Sequence, residues 1–234
     1  MAEKKIILAI GAHAGDMEVT CGAVLRKHAR AGDAVTLLHL TLGEGGNPRL
    51  APEKYGAQKK REAEAVAAAI GGTVLFGPYR DGELPDSDEA RRFVADVIRT
   101  VKPTHIITHW RTSIHPDHAA THRIVMDAVL LASLEAVVTQ HPRHRGVRAI
   151  WFTENWEDPE GFTPSQFVDV SDELEPWRDW IVNYEFIRGG ISSFRYLDYY
   201  TALATVRGAV VGRKYAVAFD IDPFEKKQTV DLIP

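Results

Sequence analysis

The chain has 234 residues, and its 28 Lys and Arg against 32 Asp and Glu give a formal net charge of −4. Hydrophobic residues make up 45% and charged residues 26% of the sequence, which is ordinary for a folded globular domain and excludes disordered, collagen-like and coiled-coil chains. A nearly neutral balance without a basic field argues against nucleic acid or an anionic membrane as a partner. We therefore expect a small-molecule partner.

The single cysteine, Cys21, cannot form an internal disulfide, which favours a reducing compartment. The apolar run from Ile6 to Ile10 is too short for a signal peptide, and no apolar stretch reaches bilayer length. These features predict a cytoplasmic protein. No repeat, low-complexity run or linker divides the chain, so we expect one domain over residues 1–234.

The first two thirds of the chain alternate between apolar and helix-forming segments. The predicted strands are Ile6–Ile10, Ala34–Leu42, Thr73–Phe76, Thr104–Thr108 and Ala149–Thr153. The predicted helices are Val19–Ala31, Glu53–Ile70, Asp86–Val101 and one that begins near Pro116. Strands that alternate with helices pair in parallel through right-handed crossovers. The sequence therefore predicts an α/β fold with a Rossmann-like, open, mostly parallel, doubly wound sheet.

After Thr153 this alternation loosens. Trp156, Trp177 and Trp180 lie in a region that we expect to consist of loops and helices and to cap the sheet. Its aromatic residues would also suit a contact between subunits of a homo-oligomer.

The polar residues of interest follow the predicted strands. Ligands of open parallel sheets bind beyond the carboxyl ends of the strands, because loops and helix N-termini converge there. The loop after the first strand holds His13 and Asp16. The loop after the fourth holds His115 and His118, with Pro116 well suited to the first turn of a helix. We expect the two loops to meet over one crevice.

Two histidines and one carboxylate with an open fourth position are typical of a catalytic zinc site. The spacing suggests His13, Asp16 and a histidine of the fourth loop as ligands. Other divalent transition metals fit the same donors, so Zn²⁺ is favoured on availability. The alternative for Asp16 is an ordinary N-cap of the following helix.

Several motifs resemble those of one known family. His13 to Met17 stands where that family has His-Pro-Asp-Asp-Glu, and its His-Pro-Asp-His motif is intact from His115 to His118. Further similarities lie at Thr41–Gly46, Arg61–Gly71, Asp81–Leu84, Arg207–Gly208 and Gly212–Phe219. The sequence thus resembles, over nearly its whole length, the PIG-L or LmbE-like zinc-dependent de-N-acetylases, which remove acetyl groups from N-acetylglucosaminyl conjugates.

The resemblance implies roles for individual residues. Its metal ligands correspond to His13, Asp16 and His118. It makes His115 a residue that stabilises the oxyanion or protonates the leaving amine, with Asp117 orienting His115 and raising its pKa. The substrate-binding candidates are Arg61 and Asp81, which match family positions that hold substrate hydroxyls or position loops, and His109, which is expected either to line the pocket or to be buried.

One departure from the family pattern concerns the general base. The Asp that the family uses to activate water corresponds to Gly15, whose side chain accepts no proton. General-base assistance is typically worth about 10²- to 10⁴-fold in rate. Glu44 is the favoured substitute because the first and second strands are expected to be adjacent. The other candidates are Glu18, Asp81 and Glu154.

Three functions remain open at this point. The leading one is a metal-dependent hydrolase that removes an acetyl group from an N-acetylated amine such as an N-acetylglucosamine conjugate. The second is a metal-retaining binding or regulatory protein that has lost hydrolysis. In that case Gly15→Asp is expected to create or increase activity. The third is a zinc hydrolase for another amide-like bond.

Overall fold

The computed structural model describes residues 3–158 and 160–222, so the ends of the expected domain at residues 1 and 234 lie outside the described residues. The strands are β1 (Ile6–Gly11), β2 (Ala34–His39), β3 (Thr73–Phe76), β4 (His105–Thr108), β5 (Ala149–Thr153), β6 (Gln166–Asp169) and β7 (Ala216–Ile221). The α-helices are α1 (Asp16–Arg30), α2 (Pro52–Ala69), α3 (Asp88–Val101), α4 (Pro116–Ser133), α5 (Leu174–Ile181) and α6 (Tyr196–Val210).

These strands form one mixed sheet in the order β3-β2-β1-β4-β5-β7-β6. The pairings among β1 to β5 are parallel, and β7 runs antiparallel to both β5 and β6. The predicted α/β class with a mostly parallel, Rossmann-like sheet is confirmed. The strand order reverses at β1, which pairs with both β2 and β4, and this reversal opens a crevice at the carboxyl ends of β1 and β4.

Strand β1 is central because its side chains are buried on both faces. Ile7 and Ala9 pack on one side with α1, α2, α5 and α6, whereas Leu8 and Ile10 pack on the other side with α3 and α4. A large aliphatic side chain contributes about 1.5 to 3 kcal/mol when it is fully buried. The continuous apolar run of β1 thus contributes side chains to the hydrophobic cores on both faces of the sheet.

The C-terminal third differs from its expected role as a cap of loops and helices, because β6 and β7 extend the sheet. The two tryptophans of α5 lie under the helices of one face. The indole of Trp177 donates to the carbonyl of Glu18 at 2.8 Å, and that of Trp180 donates to the carbonyl of Val66 at 2.8 Å. Both rings are nearly fully buried. They therefore fix α5 to α1 and α2 rather than covering the crevice.

Within the described ranges, no helix is both long enough and apolar enough to cross a bilayer.

Candidate metal centre

The crevice at the ends of β1 and β4 is an open cleft of about 640 Å³, including its mouth. Its polar lining residues come from six separate segments of the chain. They are His13, Asp16, Tyr55, Lys59, Asp81, His115, His118, Glu157, Ser192 and Tyr196.

Three donor atoms converge at the floor of the cleft. The distance from His13 Nδ1 to Asp16 Oδ2 is 3.3 Å, from His13 Nδ1 to His118 Nε2 3.3 Å, and from His118 Nε2 to Asp16 Oδ2 3.5 Å. Three ligands bonded at about 2.1 Å to one tetrahedral ion lie about 3.4 Å apart. The observed triangle therefore fits a single divalent transition metal.

Local structure explains how these donors reach one point. His13 lies in the tight turn between β1 and α1, and Asp16 is the first residue of α1. The Asp16 carboxylate also accepts a hydrogen bond from the His13 backbone N–H at 2.7 Å. His118 lies in the first turn of α4, which begins at Pro116 as expected. Two adjacent strands thus deliver a histidine and a carboxylate on one side and a histidine on the other.

The other ring nitrogen of His13 faces two carboxylates. His13 Nε2 lies 3.0 Å from Asp81 Oδ1 and 3.3 Å from Asp117 Oδ2. Burial acts to lower the pKa of His13, but the neighbouring carboxylates, Asp16 first, outweigh burial and raise the pKa well above its ordinary value. A proton on Nε2 satisfies the two carboxylates and leaves the lone pair of Nδ1 directed at the donor triangle.

The outer side of His118 has a similar environment. His118 Nδ1 lies 3.4 Å from the Ser113 hydroxyl, 3.6 Å from Glu157 Oε2 and 3.7 Å from Asp158 Oδ1. Asp158 is fully buried, and neither of its oxygens has a hydrogen-bond partner among the described residues. These acceptors favour a proton on Nδ1, so the lone pair of Nε2 also points to the triangle.

Other combinations of these residues also bring three ligand atoms together. They are His13 with His115 and His118, Asp16 with His109 and His118, and His13 with Asp81 and Asp117. The last set uses the nitrogen of His13 that faces two carboxylates, so its proton already has partners. The position of this proton thus argues against the set of His13, Asp81 and Asp117.

His109 does not line the cleft but lies buried against two of the donor residues. Its ring is fully buried, stacks on His118 with 4.0 Å between centroids, and places Nε2 3.1 Å from Asp16 Oδ2. Burial and the charge of His118 lower the pKa of His109 to about 4. The structure therefore places the expected substrate-binding His109 against a donor carboxylate, in accord with the buried alternative.

The family resemblance implied that Asp117 orients His115, but the Asp117 carboxylate lies against the imidazole of His13 instead, with Oδ2 3.3 Å from Nε2. The same carboxylate accepts hydrogen bonds from the backbone N–H groups of Gly82 at 2.7 Å and Leu84 at 3.3 Å, and so holds the loop that carries Asp81. The surroundings of His115 also do not favour the expected rise in its pKa. Burial and the adjacent His13 and His118 lower the pKa of His115, and the charge of Asp117 only partly opposes them.

His115 remains well placed as a neutral donor. It is the N-cap of α4, and its Nδ1 accepts a hydrogen bond from the Asp117 backbone N–H at 3.3 Å. The ring proton therefore resides on Nε2. His115 is half-buried and lines the cleft, where an N–H group can reach a substrate oxygen.

The proposed substitutes for the missing base lie in different places. Glu44 accepts a hydrogen bond from the Asp81 backbone at 3.0 Å, Glu18 is fully buried between His39 and Tyr184, and Glu154 is paired with Arg207. None of these three glutamates belongs to the described lining of the cleft.

Of the remaining candidates, Asp81 lies in the cleft and Arg61 does not. Asp81 Oδ1 faces His13, and its Oδ2 accepts from the Gly45 N–H at 2.9 Å, so both oxygens have partners. Arg61 is exposed on α2 and is not a lining residue. The structure thus brings Asp81 to the site and leaves Arg61 outside it.

Gly15 has a backbone that other residues rarely adopt, with φ of +109°. A Cβ atom built on Gly15 would lie 2.8 Å from Cζ of Phe186 and 3.6 Å from Nζ of Lys59. The phenyl ring and the ammonium group therefore occupy the space next to residue 15, where the family resemblance implies a carboxylate.

Sequence reasoning missed Lys59, Glu157 and Asp158. A signal for Lys59 exists, because Tyr55, Lys59, Ala63 and Val66 are all buried and recur at helical spacing along α2. A lysine in an apolar stripe indicates a buried cation. Glu157 and Asp158 follow β5, the strand next to β4, but their loop has no recognisable spacing.

Comparisons with known proteins indicate the family of this chain. The sequence pattern of the PIG-L family, described as GlcNAc-PI de-N-acetylase, matches residues 8–129. A 1D-myo-inositol 2-acetamido-2-deoxy-alpha-D-glucopyranoside deacetylase 2 from Catenulispora acidiphila is 30% identical over 184 residues, which cover 64% of this chain and 60% of that protein. The chain thus spans about 60% of the length of this curated relative.

Two solved structures share the fold. The N,N'-diacetylchitobiose deacetylase of Pyrococcus horikoshii has a TM-score of 0.81 and 22% identity, covering 94% of this chain and 85% of that chain. The 4-carboxy-2-hydroxymuconate hydratase of Pseudomonas putida has a TM-score of 0.83 and 21% identity, covering 98% and 100%. Because these two proteins are named for different reactions, the fold alone does not select an activity. The family match over residues 8–129 nevertheless shows that the chain belongs to the PIG-L family.

Proposed function

We propose that the protein is a metal-dependent N-deacetylase that acts on an acetamido sugar or a similar N-acetylated amine. The observation that carries the proposal is the convergence of His13 Nδ1, Asp16 Oδ2 and His118 Nε2 within 3.5 Å of one another. The curated relative from Catenulispora acidiphila, named for a glucosaminyl-inositol deacetylase activity, supports the choice of substrate class. The buried free thiol of Cys21 supports a cytoplasmic location.

In this proposal His13, Asp16 and His118 would hold Zn²⁺. Two nitrogens and one carboxylate oxygen form a donor set typical of catalytic zinc sites. A zinc ion held by these residues would polarise the amide carbonyl and lower the pKa of water to about 7. Copper binds such donors more tightly in general, so zinc is proposed on availability rather than affinity.

His115 supplies a hydrogen bond to the acetyl oxygen. Its Nδ1 accepts a hydrogen bond from the Asp117 backbone N–H, so the ring proton is on Nε2 and can be donated into the cleft. The lowered pKa keeps the ring neutral, and a neutral imidazole still donates one hydrogen bond where negative charge develops. Loss of one such donor typically costs about 10²- to 10³-fold in kcat.

Glu157 is our proposed proton acceptor in place of the side chain absent at Gly15. Three carboxylates line the described cleft, and they are Asp16, Asp81 and Glu157. Asp16 belongs to the donor triangle and Asp81 has partners at both oxygens. The contact of Glu157 with His118, in contrast, is 3.6 Å, which is longer than a hydrogen bond. Burial also raises the pKa of Glu157, which brings it nearer to neutral pH.

The experiment that tests the metal centre compares the wild-type protein with His118→Ala and with His141→Ala, a surface histidine paired with Asp96. We expect about one zinc per wild-type and His141→Ala chain, and loss of both zinc and N-acetylglucosaminyl-inositol hydrolysis in His118→Ala. Equal metal content in all three proteins would refute the proposed ligand set.

A second comparison tests the proton acceptor. Glu157→Gln is expected to lower kcat by about 10²-fold or more while zinc content stays the same. Glu160→Gln, at an exposed position in the same segment, is the matched control. Retained zinc without hydrolysis of any acetamide in the wild-type protein would favour a binding or regulatory role. Release of formate or carbamate from a substrate panel would favour another amide-like bond.

A further inference from the structure

Lys59 is a buried cation in the wall of the cleft. It lies in the middle of α2, is 5% exposed, and belongs to the buried stripe of that helix. A lysine is rarely buried unless its charge has a partner, because removing an ammonium group from water is costly. The burial of Lys59 therefore raises the question of which groups compensate its charge.

The contacts of Lys59 are incomplete for a buried ammonium. Its Nζ donates a hydrogen bond to the carbonyl of Ala14, and it lies 4.1 Å from the ring centroid of Phe186 and 5.0 Å from that of Tyr184. Within residues 3–158 and 160–222, no carboxylate oxygen approaches Nζ within the 4.0 Å of an ion pair. An ammonium group has three donors, and only one has a partner here.

Asp16, Glu18, Glu62 and Asp81 act on Lys59 at longer range only. They raise its pKa, but burial outweighs them and lowers the pKa to about 8. The charge is therefore retained at neutral pH in a position where it is poorly compensated.

Lys59 also lines the cleft, next to two glycines. A Cβ atom on Gly15 would lie 3.6 Å from Lys59 Nζ, and one on Gly43 would lie 3.7 Å from Lys59 Cε. Because neither glycine carries a side chain, no group of these two residues covers Lys59. The Ala14 carbonyl that it holds directly follows His13, so the cation is close to the donor triangle.

We propose that Lys59 binds an oxyanion, a carboxylate or a phosphate, carried by the substrate on the side of the cleft formed by Gly15 and Phe186. The substrate class is then an acetamido compound with an anionic substituent. This assignment rests on the proposed deacetylase function, but the anion-binding part is testable without it. A bound oxyanion completes the hydrogen bonds of the ammonium group and compensates its charge.

The first test measures anion binding to metal-free protein, so that no oxyanion can bind to zinc. Inorganic phosphate and acetate are titrated separately into the wild-type protein, Lys59→Met and Lys60→Met, and binding is followed by two-dimensional NMR. Lys60 is the exposed next residue of α2, and its substitution makes the same change in net charge. We expect saturable binding in the wild-type and Lys60→Met proteins, and binding about ten- to hundredfold weaker in Lys59→Met.

The second test measures the ratio of kcat/KM for an anionic and a neutral substrate with zinc bound. N-acetylmuramic acid carries a carboxylate, N-acetylglucosamine 6-phosphate carries a phosphate, and N-acetylglucosamine is neutral. We expect the wild-type and Lys60→Met proteins to prefer at least one anionic compound, and Lys59→Met to lose about ten- to hundredfold of that preference. The preferred anion identifies which oxyanion the site accepts.

The outcomes separate the two proposals. Failure to hydrolyse any acetamide, with phosphate or acetate binding that depends on Lys59, would reject the deacetylase and retain the anion site. Equal anion binding by the wild-type and Lys59→Met proteins, or no anion binding by the wild-type protein, would overturn the role of Lys59. If Lys59→Met does not fold, Lys59→Gln replaces it, since an amide can still donate to Ala14.

Discussion

Lys59 should make the stability of the metal-free protein depend on pH in an unusual direction. Burial lowers its pKa from 10.5 to about 8 in the folded protein. In the unfolded chain the group keeps a pKa near 10.4. Between pH 8 and pH 10.5 the unfolded state therefore binds more protons, so the free energy of unfolding rises with pH in that window. Below pH 8 both states are charged, and the full cost of the buried charge is present.

The size of this effect follows from the two pKa values. One pKa unit corresponds to about 1.4 kcal/mol, so the difference for Lys59 amounts to about 3 kcal/mol. Lys59→Met removes the charge while keeping an unbranched apolar stem of similar length. We therefore compare the free energy of unfolding of Lys59→Met with that of the wild-type protein. We expect this difference, Lys59→Met minus wild type, to fall by about 2 to 3 kcal/mol from pH 7 to pH 10.

The assay is urea unfolding with chelator present at pH 7, 8, 9 and 10 on the wild-type protein, Lys59→Met and Lys60→Met. Tyrosines and other lysines that titrate in this range are common to all three proteins, so the difference between variants isolates residue 59. Because Lys60 is exposed, the Lys60→Met curve should run parallel to the wild-type curve. Parallel curves for Lys59→Met and the wild-type protein would show that the charge of Lys59 is not destabilised by burial.

Three further predictions concern other parts of the molecule. Gly15→Asp should destabilise the protein by about 2 kcal/mol or more in urea unfolding and should not raise deacetylase turnover, because φ is +109° and the new Cβ would lie 2.8 Å from Phe186; higher turnover would refute this. Arg99→Met should lower the free energy of unfolding by about 3 kcal/mol or more in the same assay. The buried guanidinium of Arg99 donates hydrogen bonds to five backbone carbonyls and one threonine hydroxyl between residues 131 and 141. A loss under 1 kcal/mol would contradict this prediction. Asp158→Asn should weaken zinc binding about 10- to 100-fold in a chelator competition, because its carboxylate faces the outer nitrogen of His118 at 3.7 Å; unchanged affinity would rule out that orienting role.

Most of the fold was predictable because the elements of β1 to β5 depend on local patterns. Thr73–Phe76 was predicted with the bounds that the structure has, and α4 begins at Pro116 as expected. The helix expected from Val19 begins earlier, at Asp16, because the turn at Gly15 already leads into it. Strands β6 and β7 were missed because they pair antiparallel at the far edge of the sheet. Those pairings join segments distant along the chain and leave no local signal.

The site was predictable in its donors but not in their surroundings. His13, Asp16 and a histidine of the fourth loop were brought together in the prediction because parallel strands β1 and β4 end at the same edge, and the family resemblance then selected His118. The contacts of Glu44 and Asp117 depend on where the loop between β3 and α3 lies. No sequence spacing encodes that position, so both residues were assigned to contacts they do not make.

The cleft combines donor residues that match the family pattern with a wall, formed by Gly15, Phe186 and Lys59, that departs from it. These three wall residues contact one another. A glycine at position 15 gives the chain its +109° turn and leaves room for the ring of Phe186. The ring in turn lies against the Lys59 ammonium group, whose Nζ is 4.1 Å from the ring centroid. Restoring an acidic side chain at position 15 would therefore place a carboxylate against both a ring and a cation.

This linkage explains why a single reversion should fail. In Gly15→Asp the new side chain would clash with Phe186, and its carboxylate would pair with Lys59. The pairing would lower the pKa of the carboxylate and so make it a weaker acceptor for a proton from water. A combined Gly15→Asp, Phe186→Ala and Lys59→Leu protein removes both obstacles and leaves only the backbone strain of about 1 to 3 kcal/mol. We expect this triple variant to hydrolyse neutral N-acetylglucosamine faster than Gly15→Asp does and to lose any preference for anionic substrates. Equal rates in the single and triple variants would mean that Phe186 and Lys59 do not determine how residue 15 acts.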